Sequence, residues 1–162
     1  MKTCVFAGTF DPFTAGHEQI VLKALKTYQK VVVVIGVNPE KVPFFTTEER
    51  IEFIKKTFND NPRVEVCFYD GLMMNFMREN GYTEYIRGIR GEVDMPYEEI
   101  MRKNNLSYNS DVNTIYITCQ KEHAPISSSM IRECLKEGKN VLEYLPKNSA
   151  QTIIDAFNKK QA

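Results

Sequence analysis

An α/β fold, a doubly wound sheet of five parallel strands, is predicted by three observations. Strand-like apolar runs alternate with helical patterns along the 162 residues, one of those runs is continuously apolar, and capping or turn signals separate them. A run without alternation marks a strand covered on both faces, as crossover helices require. In such sheets ligands lie beyond the carboxyl ends of the strands.

Strands are expected at Thr3 to Ala7, Val31 to Val37, Val64 to Tyr69, Glu84 to Ile86 and Thr114 to Cys119. The unbroken Val31-Val32-Val33-Val34-Ile35 is expected to be central. Helical periodicity resumes from Glu18 to Leu25 after the first loop. Thr46, three residues before Glu49, forms a capping box for a helix running towards Phe58. Ser127 or Ser128 can cap a helix through Lys136 that stops at Gly138, and Asn148 or Ser149 can cap a last helix of period Ile153, Ile154, Phe157.

Composition bounds the function. Apolar residues make up 43% and charged residues 26%, an ordinary globular balance, and the length suits a single domain over residues 1–162. Lys and Arg total 21, as do Asp and Glu, so no bulk field draws the chain to nucleic acid or acidic lipid. Any anion site must be local. Cys4, Cys67, Cys119 and Cys134 form no Cys-x-x-Cys pair and read as reduced core residues. Met1 to Ala7 is too short for a signal-peptide core and no stretch is long enough to span a bilayer, so a cytoplasmic location is expected.

Chemistry is expected where the first strand runs into Gly8-Thr9-Phe10-Asp11-Pro12-Phe13-Thr14-Ala15-Gly16-His17. Free N–H groups at a helix start suit a phosphate, and small residues at Gly8, Ala15 and Gly16 let backbone approach it. The segment is neither a P-loop nor a Gly-x-Gly-x-x-Gly turn. Taken alone, His17 reads as an exposed or capping residue, Lys41 as a solvated loop cation, and Met73 and Met74 as core. For Glu98, a solvated helix face is as good a reading as a ligand contact.

Together these residues say more. Thr14-Ala15-Gly16-His17 fits the Thr/Ser/His-x-Gly-His signature of the nucleotidyltransferase superfamily. Asn38-Pro39-Glu40-Lys41 with Phe45 to Arg50, Ile86-Arg87-Gly88-Ile89-Arg90 leading to Asp94 and Tyr97-Glu98, and Ile126-Ser127-Ser128-Ser129 follow in order. In this the chain resembles the phosphopantetheine adenylyltransferases over nearly its whole length, which implies a single Rossmann-like domain. The resemblance implies transfer of AMP from ATP to 4'-phosphopantetheine, giving dephospho-CoA and pyrophosphate. It assigns His17 to the ATP phosphates as transition-state stabiliser, Thr9 and Lys41 to the acceptor phosphate, and Arg87 and Met73 to the pantetheine side. ATP would contact Thr9, Phe10, His17, Gly88, Ile89, Arg90, Glu98, His123, Ala124, Pro125, Ile126, Ser127, Ser128 and Ser129. Mg²⁺ bound mainly through the ATP phosphates, a homohexamer and feedback inhibition by CoA are implied too.

The chain departs from the family at Ala7, where Pro is usual, and at His123, where an aromatic ring near adenine is common. Pro96 fits best in a first helical turn. Two other readings remain open: a sister enzyme acting on nicotinate mononucleotide or making a cytidylyl ester, and a nucleotide-binding regulator that kept the fold without turnover.

Overall fold

The computed structural model describes residues 2–89, 95–118 and 127–161. Its elements are β1 (Thr3–Gly8), α1 (Ala15–Ala24), β2 (Lys30–Val37), α2 (Thr47–Thr57), β3 (Val64–Asp70), α3 (Met73–Asn80), β4 (Glu84–Ile89), α4 (Met95–Tyr108), β5 (Asn113–Thr118), α5 (Ser128–Lys136) and α6 (Ala150–Gln161), with a 3₁₀ turn at Leu142–Tyr144. The five strands form one parallel sheet in the order β3-β2-β1-β4-β5. The chain therefore winds outward through β2 and β3, then returns to the other side of β1.

Both faces of β1 and β2 are packed. Cys4, Phe6, Val31, Val33 and Ile35 meet Ile20, Val21 and Ala24 of α1 with Ile54 of α2, while Val5, Ala7, Val32 and Val34 meet Met74, Phe76 and Met77 of α3. Val31 to Ile35 is buried throughout, as a doubly covered strand must be. It is nevertheless not the middle strand. That place belongs to β1, since β2 pairs with β1 and the edge strand β3; continuity of an apolar run reports covered faces and carries no information on strand order. A third apolar cluster joins Phe45, Phe53, Ile131, Leu145, Ile153 and Phe157, seating α5 and α6 against α2.

Local signals act as their chemistry dictates. Thr46 and Glu49 form the expected capping box, with bonds of 3.1 and 2.9 Å. Ser127 caps α5, and Gly138 beyond its end has φ 73, which glycine adopts without strain. Ser149 stands just before α6, yet its hydroxyl lies 2.8 Å from that of Thr57, tying α6 to α2. Pro96 lies in the first turn of α4. Cys4, Cys67 and Cys134 are free thiols, and burial pushes that of Cys4 up to about 12; Cys119 falls outside the described residues. Among the described residues no helix is long and apolar enough to cross a membrane.

Candidate active site

Sheet order fixes where a ligand can lie. The winding reverses between β1 and β4, and their carboxyl ends, Gly8 and Ile89, flank that crevice. A Cβ on Gly8 would meet the Phe10 ring at 2.8 Å, so glycine is needed for the chain to fold back there. Phe10 has φ 52, a left-handed conformation that bulky residues rarely adopt. Its ring is buried, with centroids 5.2 Å from those of Phe6 and Phe13.

Helix α1 begins at Ala15, earlier than the periodicity from Glu18 suggests, because its first turn is closed by side chains. Thr14 N–H donates to His17 Nδ1 at 3.0 Å, and Thr14 Oγ1 accepts from His17 N–H at 3.2 Å. The imidazole thus fills the place of Glu or Gln in a capping box. A ring nitrogen that accepts carries no proton, so this pattern assigns the neutral ring's proton to Nε2. The His17 ring lies among Phe6, Phe10 and Phe13, with centroid distances of 6.1, 4.9 and 5.3 Å. Desolvation there lowers its pKa from 6.5 to about 4. At neutral pH His17 is an uncharged donor through Nε2–H, and the residue keeps a part-exposed edge.

Three cavities meet at this point. The first, of about 360 Å³, is walled by Gly8, Thr9, Phe10, His17, Gly88 and Ser128 among others, a volume within the range of small-molecule sites. The second, also about 360 Å³, contains Thr9, Ser129, Lys41, Arg50, Arg132 and Asp11. The third is a groove of about 600 Å³ along Met73, Asp70, Tyr85 and Arg87. Thr9 lines all three, and Arg87 lines the first and third.

The second cavity favours anions. Three cations surround it against one carboxylate, and that carboxylate already accepts the N–H groups of Phe44 and Phe45 at 2.8 and 2.9 Å. Arg132 donates to the Asp11 carbonyl at 2.5 Å and lies 3.7 Å from its carboxylate. Arg50 is 2% exposed, and it donates to Thr9 O, Thr46 O and Thr47 Oγ1, all neutral oxygens. Burial lowers its pKa, though a guanidinium stays charged. The resulting field suits phosphate.

On the opposite wall, Arg87 Nε and one terminal nitrogen reach the two Glu98 carboxylate oxygens at 3.1 and 2.9 Å. Hydrogen bonding to Glu98 holds the Arg87 pKa above its ordinary value.

Residues 5–134 match the family model described as cytidylyltransferase-like. A phosphopantetheine adenylyltransferase of Phocaeicola vulgatus is 42% identical over 146 residues, spanning 90% of this chain and 96% of its own. The chain belongs to the phosphopantetheine adenylyltransferase family. Enzymes of that name from Lachnoclostridium phytofermentans and Campylobacter fetus are 31% and 34% identical, over 99% and 96% of their lengths. Among solved structures, a bifunctional NMN adenylyltransferase/ADP ribose pyrophosphatase from Francisella tularensis, complexed with AMP and a manganese ion, superposes with a TM-score of 0.72 at 17% identity. The match covers 98% of this chain but 49% of that longer one, and shows a shared fold.

In this adenylyltransferase the expected site residues divide. Thr9, Phe10, His17, Arg87, Gly88, Ser127 and Ser128 converge on the first cavity, Lys41 and Ser129 line the second, and Met73 lines the third. Met74, its neighbour, goes to the core. Ser127 both lines the cavity and accepts from Met130 N–H, so capping and ligand contact are compatible. Strand β4 runs on through Ile89, past the expected end at Ile86; Ile89 is buried and lines none of the three cavities. Glu98 is 5% exposed, which sets aside the solvated helix face, and it lines none of these three cavities. Arg90, His123, Ala124, Pro125 and Ile126 lie outside the described residues. Sequence reasoning passed over Asp11, Arg50 and Arg132. Asp11 and Arg50 stand inside the quoted motifs without a role of their own and Arg132 in none, and only the fold brings the three to one cavity. Ala7 supplies a backbone N–H within β1 that proline would lack.

Proposed function

We propose that the protein transfers AMP from ATP to 4'-phosphopantetheine, giving dephospho-CoA and pyrophosphate in coenzyme A synthesis. The observation that carries this reading is His17 Nε2–H, a fixed and uncharged donor placed where a nucleotide-sized cavity joins an anion-favouring one. An acceptor phosphate oxygen attacks the α-phosphorus, the bond to the β-phosphate oxygen breaks, and pyrophosphate leaves with the electron pair. No covalent enzyme intermediate is required. Such a reaction draws its rate from positioning and from stabilising charge on the transferring phosphoryl group.

In this reading His17 donates to the α-phosphate in the transition state, while Thr9 and Lys41 hold the acceptor phosphate. Met73 and Arg87 flank the pantetheine arm. Gly88 and Ser127 to Ser129 hold the nucleotide and its outer phosphates, together with Ile89 through its backbone, and Arg90 and Glu98 with His123 to Ile126 complete that contact. Mg²⁺ enters as Mg-ATP. Among the described residues no cluster of three or more His, Cys, Asp or Glu offers a protein cage. Family membership supports a cytoplasmic homohexamer inhibited by CoA.

Pyrophosphate release, measured with Mg-ATP or Mg-CTP and each of 4'-phosphopantetheine, nicotinate mononucleotide and glycerol 3-phosphate, tests the reading. Release with ATP and 4'-phosphopantetheine alone is expected. Release only with another acceptor would overturn the substrate, and silence with all would leave a binding protein.

A further inference from the structure

Arg50 is 2% exposed, yet each of its hydrogen bonds reaches a neutral oxygen: Nε on Thr46 O at 3.3 Å, one terminal nitrogen on Thr9 O at 2.9 Å and the other on Thr47 Oγ1 at 3.2 Å. We propose that Arg50 is a positioning residue: through Thr9 O it holds the Thr9–Phe10 peptide so that Phe10 N–H stands beside His17 Nε2–H as a second donor to the α-phosphate. The inference rests on the reaction proposed above and on the ATP contact that the family resemblance gives Phe10. It adds what aims that contact.

A trans peptide directs its C=O and N–H to opposite sides, and the Thr9–Phe10 bond is trans. With Thr9 O turned to Arg50 at the second cavity, Phe10 N–H turns away from it, towards the first, which Thr9, Phe10 and His17 all line. Among the described residues none accepts that N–H. The orientation needs support, because Phe10 has φ 52, where a bulky residue stays only when its surroundings over-determine it. Phe6 and Phe13 pack against its ring, and Gly8 leaves room for it. Arg50 fixes the peptide on its other side.

A guanidinium suits this duty. Its rigid fork takes Thr9 O and Thr47 Oγ1 while Nε holds Thr46 O, so the first loop is joined to the start of α2 through one planar group. As a device for stability alone the arrangement is poor, since a buried charge loses hydration that neutral oxygens replace only in part. Among the described residues no carboxylate bonds Arg50, and Asp11 and Glu48 act on it through space. What the arrangement does supply is a donor aimed before the substrate arrives, which needs no reorganisation as charge develops on the phosphoryl oxygens.

The test compares wild type, Arg50→Lys and Arg50→Met by thermal melt, by calorimetric Kd for Mg-ATP, and by kcat with ATP and with both diastereomers of its α-thio analogue. Sulfur accepts a hydrogen bond poorly, so in the wild type the diastereomer that turns sulfur towards Phe10 N–H should be slowed. Lysine keeps the charge but not the fork. In both variants kcat with ATP is expected to fall roughly tenfold to hundredfold, since a misaimed donor is lost only in part. The Kd should stay within about threefold, and the slowing of that one diastereomer should largely disappear. A kcat close to wild type in a folded variant, a loss confined to ATP affinity, or thio ratios unchanged for both diastereomers would each overturn the proposal. Should neither variant fold, Thr47→Val takes their place: it removes one of the three oxygens that hold the guanidinium, and must shrink the same ratio. A wild type silent with Mg-ATP and 4'-phosphopantetheine would overturn the reaction itself, and this inference with it, an outcome distinct from all of these.

Discussion

Thr14 and His17 cap each other across the first turn of α1, through bonds of 3.0 and 3.2 Å between the backbone N–H of each and the side chain of the other. One imidazole therefore starts a helix and presents a donor to the cavity, and substitutions can separate the two duties.

His17→Ala is predicted to lower kcat by roughly 3 to 4 kcal/mol of transition-state stabilisation, with little change in ATP affinity. It should also cost about 1 kcal/mol of fold stability through the lost cap. His17→Glu restores an acceptor for Thr14 N–H, so it should recover stability in urea melts without recovering turnover. Equal stability for the two variants would show that the cap contributes nothing.

The pH response follows from the same ring. The folded-state pKa of about 4 lies below the ordinary 6.5, so between those values the unfolded chain binds the extra proton. Stability then rises with pH through that window, is fully present above 6.5, and is lost as pH falls towards 4. The check is a series of urea melts from pH 4 to 7 with ¹⁵N NMR of the ring. An Nε2–H imidazole that stays neutral at pH 5.5 is expected, and an imidazolium there would refute the burial argument.

Lys41→Ala should raise the KM for the acceptor and leave the melting temperature nearly unchanged, because Lys41 is exposed and surface changes are usually within about 0.5 kcal/mol. Steady-state kinetics with the acceptor varied decides it. An unchanged KM would place the residue outside the acceptor's reach.

Gly8→Ala drives a methyl group into the Phe10 ring, at 2.8 Å. Phe10 packs edge-on against His17 with centroids 4.9 Å apart, so the ring that must move is one that holds the donor. A stability loss of about 1 to 3 kcal/mol is expected from overpacking, with a larger proportional loss of turnover. Full activity in a folded variant would show that the cage is dispensable.

Removal of Mg²⁺ by EDTA should abolish pyrophosphate release, and the calorimetric melt of the ligand-free protein should not shift. A shifted melt would reveal a metal site in the protein itself.

Much of this fold was legible because its signals are local. The Thr46-Glu49 box and the Ser127 cap depend on residues three apart, and the valine run depends on its own composition. The Thr14-His17 cap was half legible: His17 taken alone reads as an exposed or capping residue, but a reciprocal box is harder to read where its fourth residue is not Glu or Gln. Strand order was not legible, for it is decided by where crossovers land. Nor was the setting of Arg50, whose partner Thr9 O is 41 positions away, or of Glu98, whose burial comes from Arg87 and Tyr116 on two different strands.

The Asp11 carboxylate, holding the N–H groups of Phe44 and Phe45, joins the first loop to the one that follows β2. Without a covalent link it closes a ring of chain around the phosphate region, so the conformational entropy of the two loops is surrendered once, when the protein folds. Each catalytic cycle then begins with Phe44 and Phe45 already anchored to the loop that carries Thr9. A substitution such as Asp11→Ala would return that disorder to every turnover, and its effect would grow with temperature even where the static site looked intact.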